Sequence, residues 1–175
     1  GKVLMRVCGT TVLDHVLRRC RAIAGADIVC CAIPSTADSD PVAAEARRIG
    51  TEVFRGSEFD VLDRYWRAAR ALKADVVVRV TSDCPLVDPA VAAEVLALRA
   101  REGADYACNN MPPTWPHGLD CEALTFAWLE RAAREATDPY AREHVTPYVR
   151  NHPESRHANL PCPVVGVAKH RWTLD

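Results

Sequence analysis

The chain has 175 residues, 49% of them hydrophobic and 26% charged, which is the composition of one globular domain with a sizeable core. Twenty-two Lys and Arg against 23 Asp and Glu give a formal net charge of -1, so no electrostatic footprint points to nucleic acid or an anionic membrane. The apolar runs are far too short to span a bilayer and no signal peptide is visible, so a cytoplasmic protein without membrane partners is expected.

Thr11 to Ala24 carries Val12, Leu13, Val16, Leu17, Cys20 and Ile23 at helical spacing, with Thr10 or Thr11 as cap and Gly25 as stop. Asp27 to Ile33 predicts a strand, Asp40-Pro41 starts a short helix ending at Gly50, and Glu52 to Arg55 is a short strand. Asp60 caps a helix whose apolar face is Val61, Leu62, Tyr65, Trp66, Ala69 and Leu72. Val76 to Val80 is β-branched apart from Arg79, which predicts a central strand buried on both faces of a parallel sheet. Asp88-Pro89 opens a helix to Arg101, and Asp105 to Cys108 is another strand. Strands alternating with helices in this way imply βαβ units and a largely parallel sheet in a single domain, residues 1–175.

Beyond Asn109 the pattern loosens. Asn109 to Asp120, with three prolines, is a loop. A strand at Cys121 to Thr125, a helix at Ala127 to Ala136 and a helical stretch from Asp138-Pro139 limited by Thr146-Pro147 follow. Arg171 to Asp175 predicts a last strand ending in an acid.

Eight cysteines form no C-x-x-C pair. Cys8, Cys20, Cys30, Cys84, Cys108 and Cys121 lie in or beside segments read as core. Reduced thiols packed as small hydrophobes are therefore expected, rather than disulfides or zinc.

Asp83 falls just past the carboxyl end of the central strand, in Thr81-Ser82-Asp83. Open α/β sheets bind ligands at that end. Spacing leaves two readings open: Asp83 caps a turn, or it holds a divalent cation and through it a phosphate. Asp175 at a second strand end would be a partner for it.

GKVL, VLDHVLRRC, FRGSEFDVLDRY, VVRVTSDCPLVDP, GLDCEAL, DPYAREHVTPYVRN and RWTLD occur in that order. Together, and over essentially the whole chain, they resemble the cytidylyltransferase-like proteins of spore-coat polysaccharide biosynthesis. That group is similar to the acylneuraminate and octulosonate (KDO) cytidylyltransferases. The resemblance implies a three-layer α/β fold of the nucleotide-diphospho-sugar transferase type, Rossmann-like with a mostly parallel sheet. It also implies that CTP and an acidic sugar give a CMP-sugar and pyrophosphate, with Mg2+ as cofactor.

The same resemblance implies roles for individual residues. Asp83 and Asp175 are the metal-binding acids, Lys2 and Arg64 lie at the phosphates and nucleotide, and Gly118, Leu119, Asp120, Glu143 and His144 line the sugar side. A homodimer is compatible with it. The family has a strand and a phosphate-binding loop ahead of the lysine and an acidic tail beyond the last acid. The chain is therefore expected to be an inactive fragment, lacking both ends.

Plainer readings stand beside these. Lys2 and Arg64 could be solvated charges, Cys84 a packed thiol, His144 a structural hydrogen-bonding group, and Tyr65, Trp66 and Trp128 core aromatics. Two rival functions are a glycosyltransferase of the same fold and a catalytically incomplete interaction domain. Ser82-Asp83-Cys84 offers one acid where glycosyltransferases usually show Asp-x-Asp, and so favours nucleotidyl transfer.

Overall fold

The computed structural model describes residues 1–174. A 3-10 turn at Lys2–Leu4 leads into a short hairpin, β1 (Arg6–Val7) and β2 (Thr10–Thr11), which the sequence pattern did not anticipate. Cys8 sits in its tip and is exposed, so it is not part of the core as expected. All eight cysteines are free thiols.

Then come α1 (Val12–Arg21), β3 (Cys30–Pro34), α2 (Asp40–Arg48), β4 (Glu52–Gly56), α3 (Val61–Ala71) and β5 (Val76–Arg79). They are followed by α4 (Pro89–Arg101), β6 (Tyr106–Cys108), β7 (Glu122–Thr125) and α5 (Phe126–Glu135). Last are α6 (Pro139–His144), α7 (Pro147–Asn151) and β8 (His157–Asn159).

Side-chain caps fix the helix starts, as their residue types predict. Thr11 accepts from the Asp14 amide, Asp60 from Asp63, Asp88 from Ala90, Thr125 from Trp128 and Asp138 from Tyr140. The predicted single stretch after Asp138 is two helices. Pro147 does end the first, but by occupying the opening position of the second.

Three sheets result: the hairpin, a parallel β3–β4 pair, and a four-stranded sheet in the order β5-β7-β6-β8. The last is mixed rather than mostly parallel, because β7 runs antiparallel to both β5 and β6 while β8 is parallel to β6. A parallel neighbour needs a long crossover, usually a helix. The connection from β6 to β7 is the irregular 109–121 loop, so the chain returns antiparallel.

Alternation along the strands sorts the core into two layers. Tyr106, Cys108 and Leu124 face Leu62, Leu129 and Val149 from α3, α5 and α7. Ala107, Ala123 and Cys121 face Ala92 and Val95 of α4 and Ile23 beyond α1. A third cluster, Leu13, Leu17, Ala46 and Ile49, covers β3 and β4. Tyr65, Trp66 and Trp128 pack against the first cluster, as expected of core aromatics.

Between the two larger sheets lies a cavity of about 310 Å3, lined by β3 and by Val78, Arg79, Val80, Thr81 and Ser82. β3 and β5 are both edge strands that meet across it. The central strand is accordingly an edge strand, half-buried along its length although Val77 and Val78 pack on the cores of the two faces. Arg171 to Leu174 forms no strand. One isolated bridge ties Arg171 to His117, and Asp175 lies outside the described residues.

Candidate functional site

β5 delivers the chain to a turn at Thr81 to Val87. It is closed by Cys84 N–H donating to the Thr81 carbonyl (3.1 Å) and Val87 N–H to the Cys84 carbonyl (3.1 Å). Asp88 then starts α4, so a strand end and a helix start hold the turn on both sides. Asp83 projects from it, half-buried.

Burial alone would raise its pKa. The Thr81 hydroxyl, its own backbone N–H, the Lys2 ammonium and the Cys84 thiol stabilise the anion and hold the carboxyl below its ordinary value. Asp83 is thus ionised at any pH well above 4.

Cys84 beside it is the opposite case. Burial pushes the thiol up to about 11, against a hydrogen bond with Thr81 and aided by the charges of Asp83 and Asp120. A thiol protonated at neutral pH is packing, not a nucleophile.

The structure brings three sequence-predicted residues or their neighbours together here. Lys2 acts on Asp83 electrostatically, and its Nζ donates to the Leu174 carbonyl at 2.9 Å. Leu174 N–H in turn donates to the Asp83 carbonyl at 2.8 Å. Asp175, expected as the second acid, follows Leu174 in the sequence and lies outside the described residues.

The loop of Gly118, Leu119 and Asp120 joins the same cluster through residues 170–174. His117 N–H donates to the His170 carbonyl (2.9 Å) and Trp172 N–H to the His117 carbonyl (2.7 Å). Within the loop the Asp120 carboxylate accepts from Gly118 N–H at 2.8 Å and lies 2.8 Å from His117 Nδ1.

Arg64 stands apart from these contacts. Its Nη1 donates to the Ser57 carbonyl at 2.5 Å, burial lowers its pKa, and its buried Nε has no partner. Arg64 lines the cavity with Thr81 and Ser82, so it and the Asp83 turn border one space. Glu143 and His144 are exposed on α6, which packs on α3 and α7. His144 rests on Tyr140 at 4.3 Å between ring centroids, and no hydrogen bond or ion pair joins Glu143 or His144 to Asp83 or Asp120.

Among the described residues no three His, Cys, Asp or Glu side chains converge as a metal cage. A hard cation such as Mg2+ does not need one, since it takes one or two carboxylates and completes its shell with water and phosphate oxygens. An anionic oxygen donor, open to one side and flanked by a lysine, fits that mode.

Sequence reasoning passed over a second carboxylate. Glu122, 4% exposed, accepts from Tyr106 Oη (2.6 Å) and Thr146 Oγ1 (2.7 Å) and pairs with Arg79 Nη1 (2.6 Å). Strand alternation was the available signal, because Glu122 shares a face with the core residue Leu124. Its oxygens are fully engaged, so it braces β5, β6 and β7 and is not free for a ligand.

The family model described as cytidylyltransferase matches residues 1–171. The spore coat polysaccharide biosynthesis protein SpsF of Bacillus subtilis is 34% identical over 110 residues, covering 61% of this chain and 46% of that protein. A 3-deoxy-manno-octulosonate cytidylyltransferase of Rhodospirillum centenum is 35% identical over 111 residues, covering 61% and 42%. A solved cytidylyltransferase structure from Leptospira borgpetersenii superposes with a TM-score of 0.89 at 29% identity, over 100% of this chain and 74% of that one. The chain spans about half the length of the curated relatives it matches.

Proposed function

Since the chain belongs to the cytidylyltransferase family, we propose that it is the core of an enzyme transferring CMP from CTP to a hydroxyl of an acidic sugar, for a surface polysaccharide. The hydroxyl oxygen attacks the α-phosphorus, its proton passes to water, and the bond to the β-phosphate oxygen breaks to release pyrophosphate. Such a step asks the protein mainly for positioning and charge neutralisation.

The observation that carries this reading is Asp83, held ionised at the carboxyl end of β5 with Lys2 beside it. Asp83 would hold a divalent cation, with Asp175 as the proposed second acid. The cation when bound supplies positive charge to the phosphate oxygens. Lys2 faces the same polyphosphate as a point charge. Arg64 would meet the nucleotide from the cavity side. Gly118, Leu119 and Asp120 would border the sugar, being the sugar-side candidates connected to the Asp83 turn. Support for an acidic sugar comes from the similar 3-deoxy-manno-octulosonate cytidylyltransferase, whose name specifies one.

The test is pyrophosphate release from CTP with Mg2+ and KDO, measured in the full-length protein. Asp83→Asn should lower kcat about a hundred- to a thousandfold, as loss of a group acting on transition-state charge does, with the circular dichroism spectrum unchanged. Full activity in Asp83→Asn, or an inert CTP while a preformed nucleotide-sugar is consumed, would overturn the reading.

A further inference from the structure

Gly118 has φ +110 and is buried against the 170–174 segment. A Cβ built there would lie 2.7 Å from the carbonyl carbon of Trp172, 2.9 Å from its oxygen and 3.1 Å from Thr173 N. These are backbone atoms, which no rotamer change can move aside. The backbone angle alone would favour glycine. The close approach is a second, independent demand.

We propose that Gly118 is a positioning residue for the cation side of the site. Lacking a side chain, it lets residues 170–174 lie flat on the 117–120 loop. Leu174 main chain is thereby placed between Asp83 and Lys2. The inference rests on the reading of Asp83 given above and extends it to a residue whose expected place was at the sugar.

Distances decide the size of the effect. Ordinary contact begins near 3.4 Å, so any side chain at 118 must push the 172–173 backbone away by roughly 0.7 Å from its 2.7 Å approach. Retreat of the loop is opposed by buried Asn109, whose Nδ2 donates to the Leu119 carbonyl at 2.8 Å and whose Oδ1 accepts from Cys121 N–H at 2.9 Å. One residue further along, Leu174 N–H meets the Asp83 carbonyl at 2.8 Å and Leu174 O meets Lys2 Nζ at 2.9 Å. Lengthening those bonds by the same amount takes them out of hydrogen-bonding range. Misplacement by about 1 Å at a reacting centre costs on the order of a hundredfold in rate.

The experiment is Gly118→Ala in the full-length protein, followed by amide hydrogen exchange and by CTP turnover against Mg2+ concentration. Exchange at the Leu174 amide should speed up at least about tenfold while amides of α4 and β7 keep their rates. The half-saturating Mg2+ concentration should rise at least about fivefold, with the loss mainly in kcat.

Leu174→Pro supplies a second route that leaves the 117–120 sequence untouched: it removes the N–H donated to Asp83, at the cost of a fixed φ at 174 and a restricted Thr173. It should shift the Mg2+ dependence in the same direction, and it decides the matter if Gly118→Ala does not fold. Unchanged Leu174 exchange in Gly118→Ala overturns the proposal. So does lost activity with unchanged Mg2+ dependence, which would confine the role of Gly118 to the sugar side. If Asp83→Asn keeps the Mg2+ response while Gly118→Ala still frees Leu174, the reading of Asp83 fails and the docking of 170–174 stands.

Discussion

The β3–β4 pair and the four-stranded sheet are both made of short strands, three to five residues long, yet they are finished differently. In the larger sheet β7 and β6 are paired on both edges, and helices cover both faces. The smaller sheet has two strands, with α1 and α2 on one face, α3 packed against both strands, and one edge, β3, facing the cavity. The residues around Asp83 leave the larger sheet at β5, its own edge on the same cavity. The site therefore stands where the well-built half of the molecule meets the sparsely built half.

Hydrogen exchange gives the widest separation between them. Val29 accepts from Glu52 and Ser35 donates to Gly56, so by alternation Cys30 and Ala32 point their backbone groups at the cavity. Asp75 accepts from Phe126, which leaves Val76 and Val78 pointing at it from the other side. These amides should exchange at least about ten-thousandfold faster than those of Ala123 and Leu124, which open only on global unfolding. Equal protection would mean that another strand pairs in the space, and sedimentation against concentration would show whether it comes from a second copy.

Next in size is the carboxylate that ties the larger sheet together. Glu122→Ala strands Arg79, Tyr106 Oη and Thr146 Oγ1 in the interior and should cost about 3–5 kcal/mol in a denaturant titration. A cost under about 1 kcal/mol would show that water already reaches the network from the cavity side.

The smallest effect is the difference between two truncations. Leu124→Ala, fully buried between α3 and α5, should lose about 2–5 kcal/mol. Val53→Ala on half-buried β4 should lose about 1 kcal/mol. Equal losses would erase the distinction between the sheets.

What the sequence revealed follows the same division between local and distant causes. The α4 helix was predicted to its residues, Pro89 to Arg101, because an Asp-Pro start and a Gly stop are written beside it. The strand expected from Asp27 begins at Cys30, since β4 offers its first partner, Glu52, only there. That β7 would slide in beside β5 was not legible, because pairing across 43 residues leaves no mark on either strand's pattern. RWTLD has the composition of a strand, yet its backbone bonds go to the loop at His117 and to Asp83. The turn holding Asp83 could be read from small polar residues after an apolar run. The approach of Trp172 to Gly118 could not.

The cavity also governs how the molecule responds to compression. Pressure favours the state with less internal void, and the volume change of unfolding scales with the void that disappears. A space of about 310 Å3 lies between β3 and β5, partly open to solvent. It belongs to one seam. Squeezed, the protein is expected to loosen along that seam, where α1 and α3 each pack on both sides, while Glu122 still holds β5, β6 and β7 together. Asp83 stays with the half that survives, and Arg64 sits on the line of parting.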